Sequence, residues 1–214
     1  MKVAGIYLAA GSSRRMGRPK LPLELSAGKS LGGAALTELA KCGLDPLVVV
    51  VRADDPLDWL PPPPEGAAGW RTESCFTSSL GLSFSLRCGL NAVLPREPDA
   101  VLVALADQPF VRAEEVRRLI EAMEQNPELQ YAASGNDGFP MPPSLFARSL
   151  FPALGRLDGD RGARDIFETP DYKGVVIEME RPEFFADADT EIDYESLKTS
   201  WGKAEKLREY DITG

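Results

Sequence analysis

The stretch VAGIYLAAGSSRRMGRPK, residues 3–20, changes character near its middle. Residues 3–10 form an almost unbroken apolar run. The rest crowds Gly11, Gly17, Ser12, Ser13 and the cations Arg14, Arg15, Arg18 and Lys20 into one loop. An apolar run without alternation fits a strand buried on both faces of a parallel sheet. Such a strand delivers the loop after it to the carboxyl edge of the sheet, where open α/β folds collect their ligands. The run is also short and leads straight into the cationic loop, so a first core strand fits it better than a secretion signal.

Three further runs read the same way: PLVVVV (46–51), DAVLVALAD (99–107) and GVVIEM (174–179). Helical periodicity lies between them. Ala35, Leu36, Leu39 and Ala40 share one face in 32–42, Leu82, Leu86, Leu90 and Val93 in 82–94, and Val116, Leu119, Ile120 and Met123 in 113–124. Alternating strands and helices predict a three-layer α/β/α domain around a mostly parallel sheet with right-handed crossovers. PPPPEGAAG (61–69) suits an extended surface connection, and NDGFPMPP (136–143) an irregular stretch beside a substrate mouth. Residues 193–210 read as a polar closing helix. The expected organisation is a single domain over 1–197 and a C-terminal helical tail over 198–214, packed on it or extending from it.

The chain has no histidine, which removes histidine-based nucleophile activation, acid–base catalysis and metal ligation. Chemistry must run on carboxylates, cations, hydroxyls and metal ions. A net charge of −9 speaks against nucleic-acid and anionic-membrane partners, yet four cations within seven residues still permit a local anion site. Cys42, Cys75 and Cys88 are odd in number and lack close pairing, which argues for reduced thiols rather than a disulfide framework. No apolar stretch approaches the length of a membrane span, and the expected compartment is the cytoplasm.

The loop at 10–20 matches neither familiar phosphate motif: it lacks the GxxxxGK spacing of a P-loop and the GxGxxG of a dinucleotide fold. Its cations gain meaning from a strand-ending carboxylate, Asp107, which Pro109 follows in the turn. Alone, such an aspartate is a turn or capping residue; opposite a cationic loop it can hold Mg²⁺ beside phosphates. A third element, FFADADTEIDYESL (184–197), presents Asp187 and Asp189 just before the last helix, with Thr190 or Asp193 able to cap that helix. These carboxylates read either as part of the cap or as a second metal ligand.

Together these features resemble a known family. LAAGSSRRMGRPK is similar to the LAAGxSxRMGxxK signature of the molybdenum cofactor nucleotidyltransferases, whose fold is of the GT-A-like, nucleotide-diphospho-sugar transferase type. ADQP resembles their metal-binding aspartate turn, GLSFSLRCGL their GxSxSLxxGL helix start, DGDRGARDIF their GDxGAR segment and DADTEIDYESL their terminal DxDTPEDYxxL pattern. The chain departs from the pattern at Gly28-Lys29-Ser30-Leu31, at Glu191-Ile192 and at Met141-Pro142. Within that family the chain most resembles the cytidylyltransferases serving maturation of xanthine dehydrogenase-type enzymes.

The resemblance implies that the backbone of Leu8, Ala9, Ala10 and Gly11 meets the nucleotide while Arg15 and Lys20 neutralise its phosphates. Ser85 would contact the cytosine or ribose. Asp107 would bind Mg²⁺ with Asp187 as partner, Asp189 being the alternative, and Arg161 and Arg164 would lie near the pterin phosphate or shape the substrate loop. The implied reaction takes CTP and the molybdopterin cofactor, transfers CMP and releases pyrophosphate, with an apo molybdoenzyme as a further partner. Rival readings are GMP transfer to the same cofactor, CMP transfer to another small phosphorylated substrate, and a non-catalytic maturation factor that carries the cofactor. A dinucleotide-binding oxidoreductase is disfavoured by the missing GxGxxG.

Overall fold

The computed structural model describes residues 1–63 and 69–213. The first strand, β1 (Val3–Leu8), is buried at every position. A small hairpin of β2 (Glu24–Ser26) and β3 (Lys29–Ser30) leads into α1 (Leu31–Leu39), followed by β4 (Leu47–Arg52), β5 (Trp70–Cys75) and α2 (Leu82–Val93). The chain then returns across the sheet through β6 (Ala100–Leu105), α3 (Ala113–Gln125), β7 (Tyr131–Asn136) and β8 (Phe139–Ala147). Two short helices, α4 (Phe151–Leu154) and α5 (Arg164–Phe167), precede β9 (Gly174–Glu178) and the closing α6 (Glu191–Thr213).

Seven strands form one sheet in the order β5-β4-β1-β6-β8-β7-β9. Only β8 runs against the others, pairing antiparallel with β6 and β7. The mostly parallel three-layer architecture expected from the apolar runs is the one observed. Strand alternation divides the core between the sheet's two faces. Val3, Tyr7, Val49 and Leu102 pack with Leu36 of α1, Val116 of α3 and Trp201 of α6. Ile6, Val48, Val50 and Val103 pack with Leu86 and Leu90 of α2 and Ile166 of α5. Trp201 is only 4% exposed, so α6 runs through residues 197 and 198 without a break and keeps packing on the domain beyond them. Among the described residues no helix is long and apolar enough to cross a membrane.

Two stretches differ from their sequence reading: β9, expected as a strand buried on both faces, is an edge strand with no buried position, and residues 136–143 form a hairpin. Residues 136–143 are not irregular: they turn from β7 into β8, with Asp137 at φ 50° and Gly138 at φ 80°. Two consecutive left-handed residues of an Asn-Asp-Gly stretch make the tight turn whose twist suits a hairpin. Pro142 and Pro143 fall between the pairs Ala133–Ser144 and Ser134–Met141, where the register shifts, so neither has to donate a ladder hydrogen bond. The strand β5, which the sequence reading did not anticipate, is an edge strand with Arg71, Thr72 and Ser74 exposed, and it presents no apolar run. Of the connection at 61–69, residues 64–68 lie outside the described residues.

Candidate active site

From β1 the chain builds outward through β4 to β5, then crosses back to β6 on the other side of β1. The topological switch therefore lies between β1 and β6, whose last residues, Leu8 and Leu105, are paired. The two chains separate just beyond this point, after the Ala106 N–H donates to the Leu8 carbonyl at 3.0 Å. A cleft of about 770 Å³ opens there, within the range of small-molecule sites. Leu8, Ala9, Ala10, Gly11 and Asp107 all line it.

Asp107 meets Asp187 and Asp189 at this edge: one oxygen from each lies within 4.8 Å of the others. The segment that carries the last two is anchored by Phe184 and Ala188, both fully buried. Asp187 and Asp189 flank Ala188, a spacing that turns both side chains to one side of an extended chain. The same segment starts α6. Asp193 Oδ2 accepts from the Thr190 N–H and hydroxyl, each at 2.8 Å, and the Asp193 N–H donates back to Thr190 Oγ1 at 3.2 Å. This reciprocal cap occupies Thr190 and Asp193 and leaves Asp187 and Asp189 to the cluster.

Lys20 ties the cationic loop to the carboxylates. Its ammonium donates to Asp107 Oδ2 at 2.7 Å and to Asp189 Oδ1 at 3.3 Å, while the residue is only 8% exposed. Burial works against the charged ammonium, but Asp107 and then Asp189 outweigh it, so the Lys20 pKa rises and the group stays cationic. Arg15 reaches the other oxygen of Asp189 at 2.6 Å from a largely exposed position. Asp189 is thus held by two cations, whereas Asp187 makes no ion pair among the described residues. Desolvation, followed by the charges of Asp107 and Asp189, pushes the Asp187 pKa upward.

The remaining loop cations, Arg14 and Arg18, are both exposed. Arg18 makes a two-point pair with Glu191 at 2.6 and 2.7 Å, joining the loop to the first residue of α6. Arg14 lines the cleft, and also an adjoining cavity of about 430 Å³.

Ser85, 4% exposed, lines the cleft from α2. The start of that helix is closed by the GDxGAR-like segment: Asp160 Oδ1 accepts from the Leu82 N–H, and the Gly159 carbonyl from the Ser83 N–H, each at 3.1 Å. Gly81 must be glycine for this clasp, because at φ 127° a Cβ would lie 2.7 Å from the Gly159 oxygen. Asp160 itself lines the cleft. Arg161 instead pairs with Asp165 at 2.6 Å and Glu168 at 2.7 Å along α5, and Arg164 is exposed at that helix's first residue; neither lines the cleft. Sequence reasoning missed Asp160, Arg52, Asp54 and Phe76, all of which line it. The last three follow or end β4 and β5, so the rule that ligands gather at the carboxyl ends of parallel strands was the available signal.

A model of the MobA-like NTP transferase domain matches residues 5–175, covering the signature loop, the Asp107 turn and the Asp160 segment. The chain belongs to this family. The Bacillus subtilis (strain 168) purine catabolism protein PucB is 30% identical over 199 residues, spanning 91% of this chain and 95% of that protein. A probable molybdenum cofactor guanylyltransferase of Mycolicibacterium paratuberculosis is 29% identical, spanning 92% and 95%. The crystal structure of a Mycobacterium tuberculosis rv0371c homolog from Mycobacterium sp. strain JC1 superposes with a TM-score of 0.76 at 27% identity, covering 95% of this chain and 100% of that one.

Members of the MobA-like family generally use a divalent metal, and the donor set here fits one. Three converging carboxylates offer the oxygen ligands that Mg²⁺ and similar hard cations take. Lys20 lies on both Asp107 and Asp189 and Arg15 on Asp189, so Asp187 is the member of the cluster that makes no ion pair among the described residues.

Proposed function

We propose that this MobA-like nucleotidyltransferase moves CMP from CTP to the terminal phosphate of the molybdopterin cofactor, in service of a xanthine dehydrogenase-type enzyme. An oxygen of the acceptor phosphate attacks the α-phosphorus of CTP, the bond to the bridging α–β oxygen breaks, and pyrophosphate leaves with that electron pair. The observation that carries the reading is the meeting of Lys20 from the loop after β1, Asp107 from the turn after β6 and Asp189 from the segment before α6, at the mouth of a nucleotide-sized cleft.

Phosphoryl-type substitution needs little covalent help from a protein; positioning and charge neutralisation supply most of the catalysis. That suits a chain without histidine. The backbone of Ala9 to Gly11 would approach the phosphate chain, while Lys20 and Arg15 would neutralise the charge that grows on the departing pyrophosphate. The raised pKa of Lys20 keeps it a fixed cation rather than a proton acceptor. Asp107 and Asp187 would hold Mg²⁺, which when bound supplies Lewis acidity and charge neutralisation at phosphate oxygens. Ser85 would face the base or ribose from α2.

The likeness to a purine catabolism protein supports the cytidylyl reading, because xanthine dehydrogenase-type enzymes act on purines. A second reading, GMP transfer to the same acceptor, is favoured by the guanylyltransferase relative. Incubation with molybdopterin cofactor, Mg²⁺ and equimolar CTP and GTP, followed by mass spectrometry of the product, separates them. The cytidine dinucleotide is the expected product. A guanine dinucleotide would establish the second reading, and neither product would leave a cofactor carrier as the better description.

A further inference from the structure

Phe76 stands immediately past the carboxyl end of β5, is 84% exposed and lines the cleft. Exposed apolar residues scattered on a surface are ordinary. Phe76 is not placed like one of them, because it is the only aromatic residue lining the cleft among the described residues. The lining that follows it in the chain up to Ser85 is mostly small, Ser78, Ser79, Gly81 and Ser85, with Leu82 the one larger side chain.

The sheet order puts β5 three strand positions from β6, the strand that delivers Asp107. At about 4.8 Å per strand this separates the ends of the two strands by roughly 14 Å. A nucleoside triphosphate extends over a distance of this order. With its phosphates at Lys20 and Asp107, its base would reach toward the β4–β5 side of the cleft.

We propose that Phe76 is the platform on which the nucleobase stacks. The proposal rests on the nucleotidyl-transfer reading and deepens it by assigning the base a side chain. Aromatic stacking covers the apolar face of the ring and accepts any base, since every base has a π-face. Phe76 therefore supplies grip on CTP and GTP alike and leaves the choice between them to groups that meet the base edge.

The test is equilibrium binding of CTP, GTP and inorganic tripolyphosphate to the full chain with Mg²⁺, for wild type, Phe76→Ala, Phe76→Leu and Phe76→Tyr. Phe76→Ala is expected to weaken both nucleotides by about 5- to 150-fold while changing tripolyphosphate affinity less than about twofold. Phe76→Tyr, which keeps a ring, should stay within about threefold of wild type; Phe76→Leu, which keeps apolar bulk alone, should not. Wild-type nucleotide affinity in Phe76→Ala would overturn the proposal, as would equal losses for nucleotide and tripolyphosphate. Molybdopterin cofactor titrated in the same way is the control: a loss in Phe76→Ala confined to it would also overturn the proposal and place the pterin on this ring instead. A wild-type protein that bound neither nucleotide would overturn the nucleotidyl-transfer reading itself, an outcome distinct from any result that separates the variants.

Discussion

Lys20→Met exchanges a buried ammonium for an uncharged chain of similar length at the centre of the site. Its two ion-pair partners, Asp107 and Asp189, have side chains 22% and 32% exposed, against 9% for Lys20. The pair thus lies between an exposed one, worth about 0–1 kcal/mol, and a buried one, whose breakage costs about 3–5 kcal/mol. Removing the cation also leaves three carboxylates within 4.8 Å of one another. At an effective dielectric of about 20, two unit charges at that distance repel by about 3.5 kcal/mol, and partial exposure screens much of this. We expect a net loss of about 2 kcal/mol in metal-free protein, which for a chain of this size lowers the melting midpoint by about 4–8 °C. Mg²⁺ should recover part of the loss by giving the carboxylates another cation. It should not restore turnover, because the fixed charge facing the leaving pyrophosphate is gone. By analogy with other preorganised charge-stabilising groups, kcat should fall about 10²- to 10³-fold. Thermal melts with and without Mg²⁺, together with pyrophosphate-release rates, test both parts. A kcat within threefold of wild type, or an unchanged midpoint in metal-free buffer, would refute the reasoning.

Three further predictions follow from the same geometry. The Asp187 pKa is raised in the fold, so its contribution to stability is fully present below its unfolded value and lost as pH rises through the folded one; ionised, it is a destabilising charge. Metal-free Asp187→Asn should therefore melt above wild type at pH 7, with the gap closing toward about pH 4; a variant less stable than wild type at pH 7 would contradict this. Asp160→Ala removes the acceptor for the Leu82 N–H and should cost about 1 kcal/mol, raising the nucleotide KM more than it lowers kcat; unchanged melting and KM would show that the clasp does nothing. Arg18→Gln breaks a pair with both partners about half exposed and should leave the melting midpoint and kcat near wild type, whereas a large loss of rate would place Arg18 at the phosphates.

The strands that are apolar throughout were legible in the sequence, and so was the edge strand β9; β7, buried from Ala132 to Gly135, was not, because its small residues make no apolar run. β1, β4 and β6 announce themselves as unbroken apolar runs because no side of them meets water. β5 does not, because an edge strand carrying Arg71, Thr72 and Ser74 to solvent has no such run to show. The β7–β8 hairpin was hidden by its prolines, although Asn136-Asp137-Gly138 carried the turn signal. In the site, Asp107, Asp187, Asp189 and Lys20 could be anticipated together, since each lies in a motif beside a strand or helix end. The division of labour within the loop could not. Arg14 lining the cleft, Arg15 on Asp189 and Arg18 on Glu191 follow from the loop's path in space, which a run of similar cations does not encode. Asp160 escaped notice for a related reason: its partner at Leu82 is 78 residues away in the chain.

The most direct test of the account is pyrophosphate release from CTP in the presence of Mg²⁺ and molybdopterin cofactor, measured for wild type and for Asp107→Ala after both have been shown to be folded. Asp107 joins the Lys20 pair to the carboxylate cluster and is a proposed ligand of the ion, so the account requires its loss to be severe. The expected result is one pyrophosphate per cytidine dinucleotide formed by wild type and no measurable turnover by the variant. Cytidylyl transfer at the wild-type rate by Asp107→Ala would contradict it.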